Sequence, residues 1–196
     1  MDSSVPMTAP ASPARTGVWV AIATISMSFA AYTSALMVRQ DTISDWAHFT
    51  LPPILFVNTL VLLASSATVA LGLRRMKAGA AAAAGQATFA SRGGRWLVVT
   101  LGLGVLFVAG QVLAWRSLAA QGLYLATTPG SSFFYVFTAL HALHLLGGVA
   151  ALAYVLRRIL LTPAAAPLGA AGAAALYWHF MDVLWLYLLL VLALRL

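Results

Sequence analysis

The chain has 196 residues, 62% of them hydrophobic and 8% charged, with a net charge of +7. A soluble domain holds about a quarter charged residues, and no soluble fold of this length has an interior large enough to hide so much apolar surface. The composition excludes a soluble enzyme or binding module and predicts a polytopic membrane protein.

Five stretches reach the roughly 20 apolar residues that a spanning helix needs, and the alternating pattern of a membrane barrel is absent. Residues 1–16 read as a disordered cytoplasmic tail, and 17–196 as an all-α domain of five transmembrane helices. The first span covers 17–38. Arg15 ahead of it and small residues near Phe29-Ala30-Ala31 give the outline of a signal peptide, but the apolar run is as long as a full span and is read as retained. A short polar loop follows, with Arg39, Asp41, Asp45 and a solvated His48. The second span, 51–73, opens on Leu51-Pro52-Pro53 and closes on Arg74, Arg75 and Lys77. The alanine-rich stretch 78–84 is too short to span and reads as loop. The third span is 96–114, the fourth 132–156 and the fifth 173–194. Between the last two, residues 163–175 hold two prolines and two glycines and also read as loop.

Eight of the eleven basic residues fall in the tail and in the second and fourth loops; Arg39, Arg116 and Arg195 fall on the other side. The positive-inside rule then puts the N-terminus in the cytoplasm and the C-terminus outside. The net charge is explained by this topology and is no sign of a nucleic-acid partner. Cysteine is absent, which excludes disulfides, thiolate metal sites and a dinuclear copper centre built on two thiolates. A haem–copper catalytic core needs more intramembrane histidines than the three present. There is no glycine-rich phosphate loop and no nucleophile–base pair in a workable setting.

Three of the four histidines and one of the four acids lie inside spans, where ionisable groups are rare without a purpose. His141 and His144 are three apart on the fourth helix, and His179 and Asp182 three apart on the fifth, so each pair shares a helix face. With about 1.5 Å of rise per residue, His144 lies about 18 Å below Ser132, at nearly the level of Asp182 on the antiparallel neighbour. The expectation is a structural polar set, His141, His144, His179 and Asp182, joining the two helices through charge-assisted hydrogen bonds. A proton relay and a metal or haem site are the competing readings. Haem is usually gripped from opposite faces, which His141 and His144 on one helix suit poorly; zinc with Asp182 is geometrically allowed. Trp178 and Trp185 are seven apart on one stripe, fit for a lipid or partner face or for ordinary packing. Arg39, Arg74 and Arg75 at helix ends are candidates for lipid phosphates. Gly102, Gly104, Gly110, Gly147 and Gly148 permit close helix approach.

The run Ser131-Ser132-Phe133-Phe134-Tyr135-Val136-Phe137-Thr138-Ala139-Leu140-His141-Ala142-Leu143-His144 resembles a signature of haem–copper oxidase subunit III. So does Tyr177-Trp178-His179-Phe180-Met181-Asp182-Val183-Leu184-Trp185. Upstream, Gln111-Val112-Leu113-Ala114-Trp115, Leu51-Pro52-Pro53, Asn58-Thr59 and Ser65-Ser66 are similar in the same order. The short form resembles bacterial oxidases with five helices rather than seven.

The resemblance implies a subunit without catalytic residues or cofactors of its own, in the bacterial inner membrane. It would pack on subunit I, which with its partners holds the haem and copper, beside subunit II and small subunits. The complex would be a proton-pumping cytochrome c oxidase of aerobic respiration. The chain would stabilise it, support proton uptake and hold phospholipids in a V-shaped cleft, with spans one and two in one arm and three to five in the other. One departure stands out. Many members carry a glutamate in the first cleft helix; this chain has none, and Ile25 falls near that place. The departure keeps open an accessory subunit of nitric oxide reductase. A small haem-binding cytochrome and a small transporter are the readings of other classes, though the transporter's internal repeats and broken helices are not seen. Whether the donor is cytochrome c or quinol, and whether the oxidase joins a supercomplex, depends on other chains.

Overall fold

A computed structural model of the chain describes residues 13–42, 46, 49–81, 93–161 and 167–196. Five helices follow one another: α1 Pro13–Thr42, α2 Ile54–Ala81, α3 Gly94–Ala120, α4 Pro129–Leu161 and α5 Leu168–Arg195. The described residues contain no strand, and each helix is long and apolar enough to cross a membrane. The all-α, five-span architecture expected from the sequence is observed.

Most helices overrun their expected spans, because a helix continues past the apolar run until something breaks its hydrogen bonds. Pro13 starts α1, where its missing N–H costs nothing, so residues 13–16 are helical and only 1–12 of the expected tail lie outside the described residues. Pro52 and Pro53 delay α2: their carbonyls receive the first N–H groups, from Leu55 and Phe56. At its far end α2 runs through Arg74, Arg75 and Lys77 to Ala81. The stretch 78–84 is therefore helical as far as Ala81, and 82–84 lie outside the described residues. The expected loop 163–175 is corrected more strongly. The Pro167 carbonyl accepts the Ala171 N–H, and α5 begins at Leu168, where Ala171, Ala173, Ala174 and Ala175 are buried. Asp45 and His48 lie outside the described residues, and Asp41 is exposed near the end of α1.

Four helices form an arc around α5. Along the arc α2 packs on α3, α3 on α4 and α4 on α1; α5 packs on α2, α4 and α1. Helices α1 and α2 share no contact. The expected two-helix arm of α1 with α2 does not form: these helices stand at the two ends of the arc and flank its opening. The reason lies in where the small and polar residues are. The α2 helix turns Gly72 toward Trp96 and Leu97 of α3, and its Asn58 donates 2.9 Å to the Phe107 carbonyl. Thr68 meets Thr100 at 2.8 Å. Gly93, at φ 75°, leads into α3 where a Cβ would run into the Gly72 carbonyl oxygen; only glycine suits both demands.

The α1 helix is held differently. The Tyr187 hydroxyl of α5 donates to Thr33 at 2.9 Å, and Gln40 and Trp46 donate to the Arg195 carbonyl at 3.1 Å. Against α4 it makes a thin seam of rings, Phe29 with Phe137 and Tyr32 with Phe137, each 6.3 Å between centroids. Two recesses open near this seam. One, about 540 Å³, lies between Arg39 and the Thr127–Pro129 turn; the other, about 460 Å³, lies between Gly17 and Tyr177 at the opposite end.

Candidate functional site

The four ionisable groups of the spans divide among three surroundings. His141 and His144 are three residues apart, which on a helix leaves about 60° between their directions. That angle is enough to send them to different neighbours. His141 is fully buried and points between α3 and α5, its ring 5.8 Å from that of Phe107 and 5.1 Å from that of Trp185. Neither of its ring nitrogens has a hydrogen-bond partner. His144 turns toward α1, 5.9 Å from the Phe29 ring. Its Nδ1 lies 2.7 Å from the Leu140 carbonyl one turn back; since a carbonyl can only accept, Nδ1 carries the proton.

On α5, His179 and Asp182 remain together. His179 Nδ1 lies 2.7 Å from the Ser66 hydroxyl of α2 and 3.8 Å from Asp182 Oδ2. Asp182 is buried, and neither oxygen has a partner in hydrogen-bond geometry. The expected bond between His144 and Asp182 is not formed, so these side chains do not tie α4 to α5 as a set. Direction around the helix axis decides the pairing: His144 turns toward α1 and Asp182 lies beside His179. Among the described residues no three histidine, cysteine, aspartate or glutamate side chains converge as metal ligands.

What joins α4 to α5 is backbone access. The Tyr177 hydroxyl donates 3.0 Å to the His144 carbonyl, and Gly148 lets Trp178 and Tyr177 lie where a Cβ would stand 3.2 and 3.3 Å from their rings. The α2–α5 seam is tied by hydroxyls and indoles. Trp178 Nε1 donates to Ser65 at 3.0 Å, Trp185 Nε1 to Thr59 at 2.9 Å, and Ser66 meets His179. Trp178 and Trp185 are both fully buried, which corrects the alternative of a lipid or partner face. An indole buried this deeply needs an acceptor for its N–H, and α2 supplies one to each. Arg39 is exposed in the last turn of α1, whereas Arg74 and Arg75, expected at a helix end, are exposed within α2, which continues past them to Ala81.

On α3 it is Gly104 and Gly110 that permit close approach. A Cβ at Gly104 would stand 2.7 Å from the Trp178 ring, and one at Gly110 would strike the Asn58 amide, whereas Gly102 faces open space. Gln111 beside them is fully buried with neither amide atom bonded. The seam residues Asn58, Thr59, Ser65 and Ser66 entered the sequence reading only as points of resemblance. A signal for their role was present: indoles seven apart on α5 answer hydroxyls six apart on α2, both close to two helical turns.

The arrangement can be set beside known proteins. The family model of cytochrome c oxidase subunit III matches residues 19–194, from the first helix into the last turns of the fifth. The chain belongs to the cytochrome c oxidase subunit III family. It is 37% identical over 136 residues to the probable cytochrome c oxidase subunit 3 of Mycobacterium tuberculosis, covering 68% of this chain and 62% of that one. With cytochrome c oxidase subunit 3 of Corynebacterium diphtheriae it shares 34% over 145 residues, 72% of this chain and 65% of the relative. With that of Formosania lacustris it shares 38% over 136 residues, 67% and 46%. The chain thus spans about three-fifths of the length of the bacterial relatives. Both motifs of the sequence reading, around His141 and around His179, lie inside the subunit III match.

Proposed function

We propose that this chain is the non-catalytic third subunit of a haem–copper terminal oxidase, a multi-pass protein of the bacterial inner membrane with its N-terminus in the cytoplasm. The family match across all five helices carries this reading. The geometry of the ionisable groups is in keeping with it. His141 is enclosed by rings, His144 is bonded to its own helix, and His179 is engaged by Ser66. A bis-histidine haem would need two of these imidazoles facing one plane from opposite sides. Haem and copper belong to the partner subunits, and electrons pass there.

The chain's work in that complex is mechanical. It stabilises subunit I by packing, holds phospholipid and supports proton uptake into the catalytic subunit. The recess beside Arg39 suits a lipid phosphate: Arg39 lines it together with Thr127, Thr128 and Ser132 at the start of α4.

Affinity purification of the tagged chain from native membranes in mild detergent tests the reading. The expected result is a coloured complex whose haem and copper are lost when this chain is purified alone in harsher detergent. Co-purification with a complex that reduces nitric oxide and not oxygen would overturn it. So would a reduced haem band in the isolated polypeptide.

A further inference from the structure

Within that reading, we propose that the opening between α1 and α2, floored by α5, seats a transmembrane helix of the haem-bearing subunit that presents a hydrogen-bonding side chain to His179.

The floor of the opening can be placed from contacts alone. Around α5 the helices α2, α3, α4 and α1 form a continuous arc, each touching the next, and its two ends, α1 and α2, do not touch. The exposed stripe of α5, Val183, Leu186, Leu190 and Leu194, therefore lies in that gap. His179 extends the stripe by one turn toward the start of the helix. Its side chain is 43% exposed, while Asp182 behind it is 6% exposed. One ring nitrogen of His179 faces Ser66; within the described residues nothing bonds the other.

Depth makes this exposure informative. His179 is about 16 Å along α5 from Leu168 and about 24 Å from Arg195 by helical rise, well inside a hydrocarbon layer about 30 Å thick. Acyl chains offer an imidazole no hydrogen bond, and intramembrane ionisable groups face protein or water. On α3 and α4 the outward surface at comparable depth is apolar, as with Val105, Leu106 and Val112 on α3 and Leu143 and Leu146 on α4. On α1 the exposed polar groups of the span are the small hydroxyls of Thr24, Ser26, Ser28 and Ser34, of which Thr24 and Ser28 bond to carbonyls of their own helix; His179 is the ionisable group exposed at this depth on the α5 stripe. A polar centre within an otherwise apolar stripe is what a partner helix can cover and a lipid tail cannot. Asp182, without a bond of its own beside the imidazole, reinforces the demand for a polar group there.

A photoreactive residue placed at Val183, and separately at Leu106 on the far face, locates the occupant in the whole oxidase in native membranes. The expected result is an adduct with the haem-bearing subunit from Val183, at several times the yield from Leu106. In the same membranes His179→Leu should lower several-fold the amount of this chain retained on the complex in mild detergent. His179→Gln should restore most of it, and Ser66→Ala, which removes only the bond inside the chain, should be retained as well as the wild type. A lipid adduct from Val183, an adduct with a second copy of this chain, or equal yields from the two faces would overturn the proposal. A wild-type chain that never co-purifies with a haem–copper complex overturns the functional reading as well, which separates the two failures.

Discussion

The α2–α3–α5 region and the attachment of α1 solve the same problem with different means. In the first, glycines let helices approach until backbone and ring nearly touch, and both buried indoles and the Asn58 amide find partners across the seam: Asn58 with Phe107, Ser65 with Trp178, Thr59 with Trp185. In the second, α1 leans on rings at one side and on one hydroxyl pair and two carbonyl bonds at the other. Apolar burial gives helices little reason to associate in lipid, so close packing and interhelical hydrogen bonds decide which helices adhere. The first region has both throughout its length, and the second has them mainly at one end. The bundle therefore has a firm part and a helix fastened more lightly to it.

Glycine substitutions should break this contrast most strongly. Gly110→Leu sets a branched side chain against Asn58 and should cost about 3 kcal/mol or more, since overpacking alone costs about 1–3 and the Asn58 bond is lost as well. Tryptophan fluorescence during unfolding of the purified chain in mixed detergent reads the loss. A similar substitution at Gly102, which faces open space, should leave the midpoint within about 0.5 kcal/mol, the usual effect at a surface site.

A smaller effect is expected from the hydroxyl–indole ties. A double-mutant cycle of Thr59→Val and Trp185→Phe should return a coupling of about 0.6 kcal/mol and no more than about 1.7, the range of interhelical bonds inside membranes. A coupling near zero would mean that packing alone holds the α2–α5 seam. The smallest global effect belongs to Tyr187→Phe, which deletes the bond to Thr33. It should cost less than about 1 kcal/mol overall yet raise the mobility of α1 measured with a spin label at Gly17. The chain has no cysteine, so a label can be placed without removing native thiols.

The five helices were legible because a run of 20 apolar residues has few other fates in a chain this poor in charge, and proline and glycine marked most breaks. Helix ends were less legible: the alanine and glycine of 168–175 look like loop in composition, but nothing there prevents helical hydrogen bonding once Pro167 is passed. The arm assignment failed for a related reason. Neighbours in sequence are usually neighbours in space, and α1 and α2 are an exception because the polar and small faces of α2 are both committed elsewhere. His141, His144, His179 and Asp182 stood out by being ionisable in a membrane, and two of them do meet. Their partners, Ser66, Phe107, Trp185 and Phe29, could not be read from spacing, because a 60° turn around a helix axis selects among neighbours that only the assembled bundle defines.

The openness of the arc is the claim on which the rest depends, and cysteine pairs test it most directly. Thr33 and Thr59 bond to Tyr187 and Trp185, two residues apart on α5; Ser34 of α1, exposed on the side of Thr33 away from the Tyr32–Phe137 contact, and Leu60 of α2 therefore stand near one level on either side of the opening. In the isolated chain under mild oxidant, the pair Thr68→Cys with Thr100→Cys should form a disulfide, since those hydroxyls lie 2.8 Å apart. The pair Ser34→Cys with Leu60→Cys should remain reduced. A disulfide joining α1 to α2 as fast as one joining α2 to α3 would contradict the arrangement.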